Sequence, residues 1–327
     1  MTSALLEASL TDWGKGFFTQ KLDHFDALEN RTFQQVFYVN AAWFRPNAPI
    51  FLYIGGESRL SPRSVASGLA TTLAQEHHAL LVSVEHRFYG ESVPLTLTSA
   101  HLRYLSSQQA LHDLVYFIQQ LSVTLSHVPG IRTATQLFTI GGSYPGSLSA
   151  WMRLKFPHLV TASLASSAPV RAKSDFYEYD EMLAAALGES CSAAVRNVTH
   201  AIETALTAED PQSKERMKER FGCAAVADDT AFLYVLADAI AYVVQYSNPG
   251  VSYLDQLCHA TFTNASTPVD AKVDFFAQFT VDTLFAGLGA QCATFDITSD
   301  TYKSTAIPPP ESNTRQVRLP PLPCFGT

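Results

Sequence analysis

A single serine stands where its hydroxyl could attack an acyl carbon. A short apolar run ends in a glycine pair, Ser143 follows, and apolar residues then recur at helical spacing (Leu148, Trp151, Met152, Leu154). The pattern predicts a strand, a sharp turn and a helix, with the serine hydroxyl raised above the sheet edge. The backbone N–H groups at the start of that helix would favour a developing oxyanion. Ser143 is therefore the candidate nucleophile.

The motif around Ser143 departs from the usual G-x-S-x-G, because Pro145 stands where the last glycine is expected. Proline in a first helical turn loses only an N–H that has no partner there. It does add bulk where strand and helix approach each other. An alternative interpretation is a strand-to-helix corner with an incidental serine.

Two further strand exits carry residues of chemical interest. The apolar run 50–54 ends in Gly55, Gly56 and Glu57, and in α/β-hydrolases the loop after this strand supplies a second oxyanion N–H. The alternative is a plain glycine turn. The run 79–84 leads into residues 85–92, a position where open α/β sheets place ligands. For Glu85 and Arg87 we favour a structural ion pair that braces the sheet.

These segments lie in a regular order of strands and helices. The sequence predicts strands at 33–40, 50–54, 79–84, 137–140 and 160–165, with helices at 64–75, after Ser106, and at 146–156. Successive β-α units imply an α/β fold with a doubly wound parallel sheet.

The sequence pattern changes after residue 170 from alternating strands and helices to mostly helices. Residues 1–170 read as the N-terminal part of the α/β core, and residues 171–300 as a helical lid insert. Residues 301–327 are rich in proline, and we expect them to be disordered. Four cysteines fall within the insert, and two disulfides fit them better than a metal site does, although free thiols remain an alternative (Cys191, Cys223, Cys258, Cys292). Their pairing cannot be read from the sequence.

Composition excludes several classes of protein. The formal net charge is −8 and basic residues form no cluster, so nucleic acid is not an expected partner. We expect no membrane span, no metal and no cofactor, and residues 231–244 read as a buried helix. No signal peptide is visible. Three sequons nevertheless mark glycosylation candidates at Asn30, Asn197 and Asn264.

Several long motifs together resemble one family. They are QKLDHF at 20–25, PIFLYIGGE at 49–57, EHRFYGES at 85–92, LSSQQAL at 105–111, GGSY at 141–144, KFPH at 155–158 and ASSAPV at 165–170. In these residues the chain resembles the serine carboxypeptidases that include prolylcarboxypeptidase, dipeptidyl-peptidase II and thymus-specific serine protease. The resemblance runs from about residue 17 to about residue 300.

The resemblance implies an α/β-hydrolase core and peptide hydrolysis through an acyl-serine, in lysosomes, endosomes or outside the cell, with some preference for proline near the cut. It places Ser143 on the nucleophile, the N–H groups of Tyr144 and Gly56 at the oxyanion, and Glu57 where the peptide substrate binds. The histidines after Ser143 are His158, His200 and His259, and none inherits the triad role by motif. We therefore expect the last strands, with the acid and histidine, to be absent from this chain.

Three hypotheses follow from the sequence. The first is a serine-type exopeptidase whose chain here is truncated and weakly active. The second is an inactive relative that binds peptides or a partner, and the third a lipase or esterase. Oligomeric state is not readable.

Overall fold

The computed structural model describes residues 13–134, 136–248, 250–289 and 291–292. The chain divides between Ala172 and Lys173 into two compact units. The proline-rich segment 301–327 lies outside the described residues. The role of the second unit as a lid insert stays a prediction.

The first unit is built on a six-stranded sheet. Its strands are β1 (Trp13–Lys21), β2 (Thr32–Asn40), β3 (Ile50–Ile54), β4 (Leu80–Val84), β5 (Leu137–Gly142) and β6 (Ala162–Ser166). The order across the sheet is β1-β2-β4-β3-β5-β6. The neighbours β4, β3, β5 and β6 run parallel, whereas β2 is antiparallel to both β1 and β4. The sheet is therefore mostly parallel, as predicted, with antiparallel pairing added at the edge formed by β1 and β2.

Helices cover both faces of the sheet. They are α1 (Leu69–Glu76), α2 (Ser107–Thr124) and α3 (Tyr144–Lys155), with 3₁₀ turns at Pro62–Val65, His101–Tyr104 and Ile131–Thr133. Alternate residues of a strand point to opposite faces. Leu52 and Val82 accordingly pack with residues of α2 and α3, while Phe51 and Leu81 pack with residues of α1. This two-sided burial confirms the doubly wound α/β arrangement.

One predicted helix is split by a glycine. The segment 64–75 was expected to form one helix, but Gly68 adopts φ 88° and separates a 3₁₀ turn from α1. The amide of Leu69 then starts a new helix. A residue with a side chain would be strained at this φ, so the break is set by the glycine.

The second unit is helical throughout its described part. Its elements are α4 (Glu178–Leu187), α5 (Glu189–Thr207), α6 (Pro211–Arg220), α7 (Asp229–Tyr246), α8 (Tyr253–Leu257), α9 (Ala260–Thr263), α10 (Val269–Thr280), a π-helical turn at Val281–Phe285 and α11 (Ala286–Leu288). Helix α7 is the predicted buried helix, with Phe232, Val235, Leu236, Ala239 and Val243 in the core. Of the described helices, none is both long and apolar enough to span a bilayer.

Two disulfides crosslink this helical unit. Cys191 pairs with Cys258 and Cys223 with Cys292, with Cα atoms 5.3 and 5.1 Å apart. The prediction of two disulfides among these four cysteines is confirmed, and the structure supplies the pairing.

Candidate active site

Ser143 lies between the end of β5 and the start of α3, and its side chain is exposed. Its backbone adopts φ 58° and ψ −132°, a region that non-glycine residues enter at a cost of about 1–3 kcal/mol. The conformation is held by hydrogen bonds on both sides: its N–H donates to Ser166 O (2.9 Å), and its carbonyl accepts from Ser147 N (3.1 Å). The strained turn presents the hydroxyl at the carboxyl edge of the parallel strands.

Glycines allow this close approach of strand and helix. A Cβ at Gly141 would overlap the carbonyl oxygen of Pro145, and one at Gly146 would lie 2.9 Å from Ser166 O. At Gly142 the nearest atom would be 4.0 Å away, so that glycine is not required by space. Pro145 itself is buried in the first turn of α3. The helix therefore accepts proline in place of the usual glycine because the backbone contact falls on Gly141.

The loop after β3 lies against the same turn. A Cβ on Gly56 would lie 2.8 Å from Cγ of Pro145, so the loop and the first turn of α3 are in contact. Among the described residues, neither Gly56 N–H nor Tyr144 N–H donates a hydrogen bond. Gly56 thus lies against Pro145, and Tyr144 directly follows the exposed Ser143. That these two N–H groups receive an oxyanion stays a prediction.

Polar side chains surround Tyr144, the residue after the serine. Glu57 follows Gly56, and burial raises the pKa of its carboxyl, partly offset by its own backbone N–H. Burial also raises the pKa of the Tyr89 and Tyr144 hydroxyls, and the charge of Glu57 adds to this. His86, from the loop after β4, bonds through Nε2 to the Tyr144 hydroxyl at 3.0 Å. His86 was not among the predicted site residues, although it lies at a strand exit and within the motif EHRFYGES at 85–92.

Glu85 and Arg87 do not form the predicted ion pair. The buried Arg87 makes two bonds of 2.6 Å to Asp113 of α2, which also bonds Nε2 of His24 at 2.7 Å. Glu85 instead accepts from Leu60 N, Glu91 N and both the N–H and the hydroxyl of Ser92. Arg87 is thus paired with a residue of α2, and Glu85 accepts hydrogen bonds from Leu60 and from its own loop. Both sets of contacts hold the loop that carries His86.

The comparison with known proteins agrees with this geometry. The model of the family described as serine carboxypeptidase S28 matches residues 20–280. The chain belongs to the serine carboxypeptidase S28 family. Membership agrees with the α/β-hydrolase fold of the first unit.

Individual S28 relatives were compared as well. The chain is 36% identical to the human thymus-specific serine protease over 294 residues, covering 86% of this chain and 56% of that protein. It is 38% identical to the Arabidopsis thaliana probable serine protease EDA2 over 247 residues, covering 74% of this chain and 48% of that one. It is 40% identical to the mouse lysosomal Pro-X carboxypeptidase over 159 residues, covering 47% and 32%. The chain spans about half the length of the first two.

No described histidine of this S28 chain forms a hydrogen bond to the candidate nucleophile. The Ser143 hydroxyl has no hydrogen-bond partner within the part of the chain that the structure describes. His158, beyond the end of α3, is exposed, as are His200 on α5 and His259 at the start of α9. Around Ser143 the structure thus places Tyr144 directly after it, Gly56 against Pro145 and Glu57 near Tyr144, while His86 reaches the Tyr144 hydroxyl and forms no hydrogen bond to Ser143.

The three sequon asparagines of the S28 chain are all exposed. Asn30 lies in the turn before β2, Asn197 on α5, and Asn264 at the end of α9. The side chain of Asn264 accepts a hydrogen bond from Ser266 N at 2.9 Å. Exposure leaves each of them accessible for modification.

Proposed function

We propose that this protein is a serine-type peptidase in which Ser143 attacks the carbonyl carbon of a peptide bond and forms an acyl-serine. The observation that carries the proposal is an exposed serine, held at φ 58° beside two unpaired backbone N–H groups, in a chain of the S28 family. The N–H groups of Tyr144 and Gly56 stabilise the oxyanion. The peptide C–N bond then breaks, and the amine leaves with the proton that the serine hydroxyl gave up through a base. Water attacks the acyl-serine next, which releases the acid and returns a proton to the serine.

The proposal requires a base and an acid from outside the described residues. A serine hydroxyl without a base is a weak nucleophile, and loss of a triad member costs several orders of magnitude in rate. Two facts support an external origin: no described histidine forms a hydrogen bond to Ser143, and the chain spans about half the length of the first two S28 relatives. The described residues on their own are therefore expected to show weak catalysis.

The substrate we propose is a peptide cut near one end, with proline close to the scissile bond. The name of the lysosomal Pro-X carboxypeptidase, a relative, supports this class. Glu57 lies beside the oxyanion loop and contributes a carboxyl to the substrate side of the site. The cluster of Glu57 with Tyr89 and Tyr144 gives that side a polar wall.

We propose a lysosomal, endosomal or extracellular location. Two disulfides suit an oxidising compartment, and three exposed sequons suit a secretory route. The lysosomal relatives support the same assignment.

A second candidate is a peptide-binding relative without catalysis, favoured by the lack of a base near Ser143 among the described residues. A hydrolysis assay separates the candidates. Proline-containing peptides and short acyl esters are offered to the protein and to the variants Ser143→Ala and Ser126→Ala, the latter removing an exposed serine at the end of α2.

The peptidase proposal expects peptides to be cut in preference to esters, with cleavage lost in Ser143→Ala and kept in Ser126→Ala. Peptide binding that survives Ser143→Ala, with no cleavage by the unchanged protein, would establish the binding function instead. Preferred cleavage of esters would establish an esterase.

A further inference from the structure

The imidazole of His86 is held in one tautomer. His86 is buried, its Nδ1 lies 2.8 Å from the carbonyl oxygen of Arg87, and its Nε2 lies 3.0 Å from the Tyr144 hydroxyl. A carbonyl oxygen can only accept, so Nδ1 carries the proton. Nε2 is then an acceptor, and the Tyr144 hydroxyl donates to it.

The surroundings keep this imidazole neutral. Burial lowers the pKa of His86 to about 4; the Arg87 carbonyl and the charge of Asp113 favour the protonated form, and the charge of Arg87 opposes it. Arg87 and Asp113 are bonded to each other, so their fields at His86 largely cancel. The other titratable groups facing it are the Tyr89 and Tyr144 hydroxyls, both with a raised pKa. The lowered pKa keeps Nε2 of His86 an acceptor at neutral pH.

Tyr144 is anchored at both of its ends. Its backbone begins α3 directly after Ser143, its ring packs against the core between the sheet and α2, and its hydroxyl is fixed by His86. A tyrosine fixed at the far end of its ring has little freedom to rotate its own peptide unit. The N–H of that unit is the oxyanion donor of the proposed function.

We propose that His86 is a positioning residue that acts through Tyr144. Its neutral imidazole accepts a hydrogen bond from the Tyr144 hydroxyl, and this bond orients the backbone N–H of Tyr144 beside Ser143. The proposal rests on the proposed peptidase function for its consequence in catalysis. It assigns a role to the loop after β4 that is separate from the ion pair of Arg87 with Asp113 and from the hydrogen bonds of Glu85.

The test removes the hydrogen bond between His86 and Tyr144 by changing either its acceptor or its donor. His86→Leu removes the acceptor, Tyr144→Phe removes the donor, and His86→Gln keeps a side-chain oxygen that can accept. The rate of Ser143 labelling by a fluorophosphonate probe should fall about tenfold in each of the first two, corresponding to one lost hydrogen bond. The double variant should fall no further, and His86→Gln should recover most of the rate. His127→Leu, at an exposed histidine, serves as the matched control.

A second readout does not depend on catalysis. In ¹⁵N NMR spectra between pH 5 and 7, Nδ1 of His86 should be protonated and Nε2 should not. The amide resonance of Tyr144 should shift in His86→Leu and return in His86→Gln, with thermal melting confirming that each variant is folded.

The proposal is overturned if a folded His86→Leu labels Ser143 at the unchanged rate, or if Nε2 carries the proton. Absence of labelling in the unchanged protein would count against the peptidase function. If labelling is absent, the amide resonance of Tyr144 in His86→Leu still decides the positioning role: an unchanged resonance overturns the role, and a shifted resonance supports it.

Discussion

The backbone N–H of Ser143 donates to the carbonyl oxygen of Ser166, 2.9 Å away at the end of β6. This bond continues the parallel β5–β6 ladder by one residue, past Gly142 and into the turn. The positive φ of Ser143 is thereby fixed by a strand as well as by the helix that follows. The candidate nucleophile is consequently part of the sheet framework and does not depend on a loop for its position.

The two glycines before Ser143 should respond differently to substitution. Gly141→Ala places a methyl group against the Pro145 carbonyl and should lower the free energy of unfolding by about 1–3 kcal/mol or more. Gly142→Ala meets open space and should change it by less than about 0.5 kcal/mol. Chemical denaturation of both variants measures the difference. Equal destabilisation would show that the strand and helix do not approach as described.

The sequence predicts the central strands well and misses the edge strand β1. Strands β3, β4 and β5 are mostly apolar and largely buried on both faces, so their composition indicates them despite Ser83 and Thr139. In β1 the inward positions include Gly16, which makes room for the ring of Phe37, and Gln20, whose amide bonds Gln35 at 2.9 Å. Neither residue contributes to an apolar alternation. The strand is therefore defined by its partner β2 and not by its own pattern.

The positions of the candidate site residues at strand ends could also be predicted from the sequence, whereas the partner of Arg87 could not. Ser143, Gly56 and Glu57 follow buried strands, where chain direction alone places them at one sheet edge. The partner of Arg87 was not predictable, because Asp113 lies on α2 among residues that read as an ordinary helix. Asp113 is nevertheless buried, and only the tertiary fold brings it to Arg87.

The two arginines at this end of the first unit provide a matched pair. Arg87→Leu leaves the buried Asp113 without its cation and should cost about 3–5 kcal/mol of stability. Arg59→Ala removes a partly exposed pair with Glu91 and should cost about 0–1 kcal/mol. Denaturant titration compares them directly. A small effect of Arg87→Leu would mean that Asp113 is not buried with it.

Acid should weaken the fold through His86. Its pKa is about 4 in the folded state against 6.5 in the reference state, so the unfolded chain takes up a proton first. The contribution of neutral His86 to the free energy of unfolding is fully present above pH 6.5. It falls as the pH drops toward 4, by on the order of 3 kcal/mol. The difference in unfolding free energy between the protein and His86→Gln should follow this curve. A difference that is constant with pH would contradict the burial of His86.

The disulfides should stabilise the helical unit. Each closes a loop, with sequence separations of 67 and 69 residues, for which chain entropy predicts about 4 kcal/mol. The double variant Cys191→Ser/Cys258→Ser should melt at a lower temperature and respond less to reductant than the unchanged protein. If reductant leaves the melting temperature of the unchanged protein unaltered, the bridges do not contribute as expected.

The reactivity of one hydroxyl tests the central claim most directly. After incubation with a fluorophosphonate probe, peptide mapping by mass spectrometry should find the adduct on Ser143, with none in Ser143→Ala and full labelling in Ser126→Ala. An adduct spread over several exposed serines, or one that survives Ser143→Ala, would contradict the assignment of Ser143 as the nucleophile.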